Sequence, residues 1–239
     1  MNERPAIAFV CAHLCDERLY AAQRAALAAR HDCRVFAFRD EDTLAAMAEA
    51  VLAAMPQRFA LVGLSLGGYV AFEIVRRALD RVERLALLDT TAVADTPARR
   101  AGRLADIATV EAAGIDALIP ELPGRWLLPA HRQRPELVDL MASMARSIGA
   151  RGQKNQQLAM LARPDSHADL GAVRVPTLVL CGAGDAVTPP ADHEAIAARV
   201  AGARLVVVAE SGHLSTLEQP AAVTAALSAW LAETPTRSP

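Results

Sequence analysis

The sequence predicts an α/β fold, a mostly parallel twisted sheet with helices on both faces and a helical cap inserted in the core. Three observations carry that prediction. Short, continuously apolar runs alternate with longer amphipathic ones. The alternation stops between residues 91 and 173 and then resumes. One serine sits in a glycine-rich turn where a strand-like run meets a helix-like one.

Taken in order, Ala6–Cys11 is apolar without interruption, as a strand buried on both faces should be. Glu17–Arg30 places Leu19, Ala22, Ala26 and Leu27 on one helical face. Cys33–Phe38 reads as a strand, and Thr43–Met55 as a helix stopped by Pro56. Phe59–Leu64 is a third strand, followed almost without a loop by a helix over Leu66–Leu79, and Glu83–Leu88 is a fourth. From Thr91 to Val173 there is no strand-like run, only amphipathic stretches broken by Pro97, Gly114, Pro120, Pro123, Pro129, Pro135 and Gly149. Thr177–Cys181 and Arg204–Val208 are strands, Pro190–Val200 and Ala221–Leu231 helices, and Thr234–Pro239 a frayed tail. The division is a core of residues 1–90 and 174–239 with a cap of residues 91–173. Strands alternating with helices imply βαβ units and a parallel sheet.

Composition narrows the function classes. With 53% hydrophobic residues in 239, one large domain can bury a core, and 4% aromatics leave Ala, Leu and Val to fill it. Lys and Arg number 25 against 27 Asp and Glu, a net charge of −2 without a basic patch, so no nucleic-acid partner and no anionic membrane is expected. The apolar stretch Ala6–Leu14 imitates a signal-peptide core, but Asn2-Glu3-Arg4 carries both charges and no small-residue cleavage site follows. The expected location is cytoplasmic, with Cys11, Cys15, Cys33 and Cys181 as reduced thiols. Cys11, His13 and Cys15 alternate like a strand rather than a metal knuckle, and no second ligand pair follows them.

Gly63-Leu64-Ser65-Leu66-Gly67-Gly68 matches G-x-S-x-G between a strand and a helix. Small residues two positions either side let the chain turn sharply, which lifts the serine hydroxyl above the sheet. The next amide, that of Leu66, then opens a helix and faces the reacting centre. An ordinary phosphate-cradling loop would need G-x-G-x-x-G or G-x-x-x-x-G-K-[ST], and neither is present.

A serine nucleophile needs a base, and an elbow of this kind is followed by its partners in the chain order acid, then histidine. Of the downstream histidines, His131 and His167 fall in the cap, and His193 falls in a helix, facing solvent. His213, in Ser211-Gly212-His213, directly follows the last strand, at the end of the sheet where ligands bind. Asp185, in Gly182-Ala183-Gly184-Asp185, follows the strand before it and is the expected orienting acid. Asp89 also ends a strand and is the rival, with a hinge role before the cap as its other reading. Asp192 and Glu218 read as helix-end residues.

These motifs, together with Ala186-Val187-Thr188-Pro189 and Leu217-Glu218-Gln219-Pro220, resemble the α/β-hydrolase superfamily over nearly the whole chain. Ala162-Arg163-Pro164-Asp165-Ser166 is similar to a segment of its small capped bacterial esterase-like members. The resemblance implies an oxyanion hole of two backbone amides, Leu66 and Leu14, with His13 standing where the family has glycine. It implies a serine esterase that needs no metal or organic cofactor. Thioesterase, C–C hydrolase or lyase chemistry and a slow-turnover receptor remain open on the same machinery. A serine at position 65 argues against epoxide and haloalkane hydrolysis, which use a carboxylate there. The expected substrate is a small hydrophobic ester, with His13, Trp126, Met141 and Met144 as candidate binding residues. The plainer reading of the apolar cap side chains is that they pack the cap onto the core, and a homodimer contact is a further use for them.

Overall fold

A computed structural model describes residues 4–233, so the tail Thr234–Pro239 lies outside the described residues. The strands are β1 (Ala6–Val10), β2 (Asp32–Phe36), β3 (Phe59–Leu64), β4 (Val82–Leu88), β5 (Thr177–Gly182) and β6 (Arg204–Val208). They form one parallel sheet in the order β2-β1-β3-β4-β5-β6. The helices of the core are α1 (Ala21–Leu27), α2 (Leu44–Ala54) and α3 (Leu66–Ala78) before the cap region. Four more follow β4: α4 (Pro97–Ala113), α5 (Leu122–Trp126), α6 (Pro135–Leu161) and α7 (His167–Leu170). The chain finishes with α8 (Pro190–Ala197), α9 (Ser215–Glu218) and α10 (Pro220–Ala232). The predicted helix over Glu17–Arg30 begins instead as a 3-10 turn, Glu17–Tyr20, started by the Asp16 side chain.

Successive strand residues point to opposite faces, so a doubly covered sheet needs every position apolar. In β1, Ala6, Ala8 and Val10 join a cluster with Met47 and Val51 of α2, Val70 and Phe72 of α3 and Ile196 of α8. Ile7 and Phe9 join the opposite cluster with Leu27 of α1 and Val223, Leu227 and Trp230 of α10. The same alternation holds in β3, where Phe59 and Leu61 face one cluster and Ala60, Val62 and Leu64 the other. Burying each large apolar side chain contributes about 1.5–3 kcal/mol, and these two layers fix the sheet between its helices.

The strand order places the site. From β1 the chain winds outward to β2, then crosses back to β3 on the other side of β1. Loops leaving the carboxyl ends of β1 and β3 therefore diverge, and a crevice opens at this switch point. No helix among the described residues is long and apolar enough to cross a membrane.

Between β4 and β5 lie only helices and 3-10 turns. Gly149 breaks α6, with φ 72° and ψ 176° inside it. The first half packs Leu137, Met141, Met144 and Ile148 into the cluster that holds Leu14. The second half carries Gln156, Gln157 and Met160. Nothing lies within 4 Å of a Cβ built on Gly149, so its constraint is backbone conformation alone. Gly149→Ala should cost about 1–3 kcal/mol. Urea unfolding should show it as a lower midpoint at an unchanged slope; an unmoved midpoint contradicts this account of the kink.

Candidate active site

Ser65 sits between β3 and α3 with φ 55° and ψ −111°, a conformation that L-residues rarely adopt. The turn is held by close backbone approach. A methyl on Gly67 would overlap the carbonyl oxygen of Val10, and one on Gly63 would overlap that of Gly67. Thr90, just after β4, donates from Oγ1 to the carbonyl of Ser65 at 2.9 Å. Its own amide donates to His193 Nε2 at 2.9 Å. His193 was expected on a solvent face of its helix; it is fully buried instead, held neutral by burial, and braces the elbow from behind.

The structure brings Ser65, His213 and Asp185 together. His213 Nε2 lies 2.9 Å from Ser65 Oγ, and His213 Nδ1 lies 2.8 Å from Asp185 Oδ2. With Nδ1–H donated to the carboxylate, Nε2 is free to accept the serine proton. Asp185 also accepts from the amides of Val187 (2.8 Å) and Thr188 (3.0 Å) and from Thr188 Oγ1 (2.7 Å). Burial pushes the Asp185 carboxyl up, but the charge of His213 and these donors outweigh it and hold the pKa below its ordinary value. Burial likewise disfavours the charged form of His213, and the Asp185 carboxylate overcomes it, so its pKa lies above the ordinary value. The three side chains are only 3–8% exposed.

Asp89, the rival acid, is buried and turned to other partners. It accepts from the amide of Gly182 at 3.0 Å and from Ser215 Oγ at 2.5 Å, joining the ends of β4 and β5 to the segment after His213. It is thus a tie between strands and the histidine loop rather than a cap hinge. Glu218 is likewise no simple helix-end residue. Its buried carboxylate accepts from the amides of Gly212 (2.8 Å) and Leu128 (2.9 Å) and meets His131 Nδ1 at 2.9 Å. The amide of His213 donates to the carbonyl of Trp126 at 2.8 Å. The histidine loop is therefore strapped to the segment around α5.

The loop after β1 departs from expectation. Leu14 has φ 56°, and its amide donates to Gln156 Oε1 at 2.9 Å. Gln156 lines neither cavity of the site. The Leu14 amide is thus committed to the scaffold and is not the free oxyanion donor the sequence suggested. Gln156 Oε1 also lies 2.7 Å from His13 Nδ1, while Gln156 Nε2 donates to the carbonyl of Phe38 at 2.6 Å. Burial, reinforced by the charges of Arg103 and Arg125, lowers the pKa of His13 to about 3. His13 is therefore a neutral wall residue, edge-on to Trp126 at 6.1 Å. Burial also keeps Cys11 and Cys15 protonated by raising their pKa.

A cavity of about 70 Å³ surrounds Ser65 and His213, and a second of about 210 Å³ shares His13, Tyr69, Arg103, Trp126 and Val187 with it. Both fall below the roughly 300 Å³ at which drug-sized ligand pockets begin. Met141 and Met144, expected against substrate, line neither; the cluster with Leu14 absorbs them, because that face of α6 packs on the core. Sequence reasoning missed Gln156, Thr90 and the inward face of His193. Only Glu218 carried a signal, through Leu217-Glu218-Gln219-Pro220.

Burial and the neighbouring Asp185 charge push the Asp89 carboxyl up from 3.8 to about 8. The folded state therefore keeps a proton that the unfolded chain loses, and this group makes stability fall as pH rises between those values. Asp89→Asn, whose Oδ1 can accept from the Gly182 amide and whose Nδ2 can donate to Ser215 Oγ, should flatten that fall. Urea midpoints of both proteins across pH 5–8 (the interval between the two) test it; parallel curves refute it.

A model of the alpha/beta hydrolase family matches residues 9–227. A pimeloyl-[acyl-carrier protein] methyl ester esterase of Aromatoleum aromaticum is 32% identical over 74% of this chain and 76% of its own length. A thermophilic esterase from Thermogutta terrifontis, solved with malate bound, is 31% identical with a TM-score of 0.87, covering 96% of this chain and 90% of that one. The enol-lactonase from Burkholderia xenovorans is 25% identical with a TM-score of 0.88, covering 97% and 93%. The parallel sheet, the elbow at its switch point and a family match over most of the chain agree: this chain belongs to the α/β-hydrolase family.

Proposed function

We propose that this chain hydrolyses carboxylic esters of small substrates through an acyl-enzyme on Ser65, with His213 as base and Asp185 as the acid that orients it. The observation that carries this reading is the unbroken hydrogen-bonded path from Ser65 Oγ through the His213 ring to Asp185. Its match to an ester hydrolase is supported by relatives named as a methyl ester esterase, a thermophilic esterase and an enol-lactonase.

In the proposed reaction Ser65 Oγ bonds to the ester carbonyl carbon as its proton passes to His213 Nε2. The carbonyl oxygen becomes an oxyanion, facing the Leu66 amide, which opens α3 and so has no acceptor within the helix. Collapse breaks the bond to the alkoxy oxygen, which leaves with the proton from His213. Water then gives a proton to His213 and its oxygen to the acyl carbon, and the Ser65–acyl bond breaks with the proton returned to Ser65. The sum is ester and water to acid and alcohol. Asp185 stays ionised throughout and stabilises the imidazolium.

Ser65→Ala should lose fluorophosphonate labelling and lower p-nitrophenyl acetate hydrolysis by at least about 10⁴-fold. Undiminished turnover would rule the reading out. Asp185→Asn should lower kcat by about 10⁴. Because the carboxylate holds the His213 pKa up, the acidic limb of its kcat/KM profile should move to lower pH. A limb that stays in place, measured on the same ester, contradicts the assignment of Asp185.

A further inference from the structure

The cavity that leads to Ser65 is built around an excess of buried positive charge. Arg103 lines both parts of it. Its guanidinium pairs with Asp95 (Nε to Oδ2, 2.6 Å), and Arg163 takes the other oxygen of that carboxylate (Nη2 to Oδ1, 2.8 Å). The Asp95 and Arg163 side chains are 1% and 3% exposed. Two guanidiniums on one carboxylate leave a net positive charge where water does not screen it. Arg163 lies 3.9 Å over the ring of Tyr69, which lines both parts of the cavity, and its Nε and Nη1 have no partner among the described residues.

Arg99 adds a second charge at the wider part. It donates from Nη2 to the carbonyl of Val187 at 2.8 Å, and no carboxylate pairs with it among the described residues. The third arginine there, Arg125, faces two carboxylates, Asp106 at 2.9 Å, which also lines the wider part, and Glu121 at 2.5 Å, so that cluster is net negative and the surplus around the whole cavity is a single positive charge. Leu118, Leu122 and Trp126 complete an apolar wall beside the arginines.

We infer that the ester this enzyme takes carries a second, free carboxylate, bound by Arg99 and Arg103, with a short methylene chain against Leu118, Leu122 and Trp126. The inference rests on the Ser65 reading above and adds the substrate class. A guanidinium fork matches a carboxylate in shape and charge, and an anion in this cavity compensates the excess that Asp95 leaves. Monoesters of short dicarboxylic acids have this form, and their hydrolysis releases a dicarboxylate and an alcohol.

The test compares mono-p-nitrophenyl glutarate with p-nitrophenyl hexanoate, a neutral ester of comparable length. Wild-type kcat/KM should favour the glutarate by about tenfold or more, the effect of one charge-assisted hydrogen bond. That ratio should shrink with added salt. Arg99→Gln and Arg103→Gln should each lower the ratio by about tenfold; the second leaves Asp95 its partner Arg163, so no buried carboxylate is orphaned. Free glutarate should inhibit hexanoate hydrolysis competitively in the wild type, a measurement that needs no variant. A wild-type ratio of one or less, or an unchanged ratio in both variants, overturns the carboxylate inference while leaving the Ser65 reading intact. No hydrolysis of either ester, or full hydrolysis by Ser65→Ala, overturns the Ser65 reading and this inference with it.

Discussion

One hydrogen bond sets the demands on the rest of the molecule: His213 Nε2 to Ser65 Oγ, 2.9 Å, between residues 148 positions apart. A proton crosses only at such a distance, so both ends must be fixed to within a fraction of an ångström. The serine end is fixed by a strained turn wedged between glycine backbones and the carbonyl of Val10. The histidine end is a loop with no strand of its own, held by the bond from the His213 amide to the Trp126 carbonyl and by side chains.

Those side chains form two buried carboxylate ties. Asp89 joins the ends of β4 and β5 to Ser215, two residues beyond His213. Glu218 joins Gly212, one residue before it, to Leu128 and His131. The loop is gripped on both sides of the imidazole, and only the second grip reaches outside the sheet core. Buried carboxyl groups, protonated or not, are costly unless each oxygen has a hydrogen-bond partner. Here each oxygen has one, so the polar atoms that position the site also satisfy one another.

The helical segment between β4 and β5 meets the site in a different way. Its α6 is divided by Gly149, so one helix provides an apolar face to the core and then a polar face to the loop after β1. Gln156 joins that loop, through His13 and Leu14, to Phe38 beyond β2. Farther along, Arg163 returns to share Asp95 with Arg103. Fold and electrostatics are thus coupled: the contacts that seat the helices over the sheet also concentrate positive charge at the cavity adjoining that of Ser65.

By itself the sequence determined the sheet and the elbow. Short uninterrupted apolar runs alternating with amphipathic ones read as strands covered on both faces, and glycines either side of Ser65 between a strand and a helix read as a turn too tight for a Cβ. It also singled out His213 and Asp185, because loops at strand ends converge on one rim, and the fold sets these two side chains 2.8 Å apart. Tertiary structure alone decided what depends on partners far along the chain. A helix pattern does not say which neighbour it will meet, so His193 turned inward to Thr90, Met141 and Met144 went to the core, and the Leu14 amide went to Gln156. The arginines looked scattered for the same reason. Arg99, Arg103 and Arg163 are surface-like residues in sequence, and only the folding of the segment between β4 and β5 places Arg99 and Arg103 at one cavity and Arg103 and Arg163 on one carboxylate.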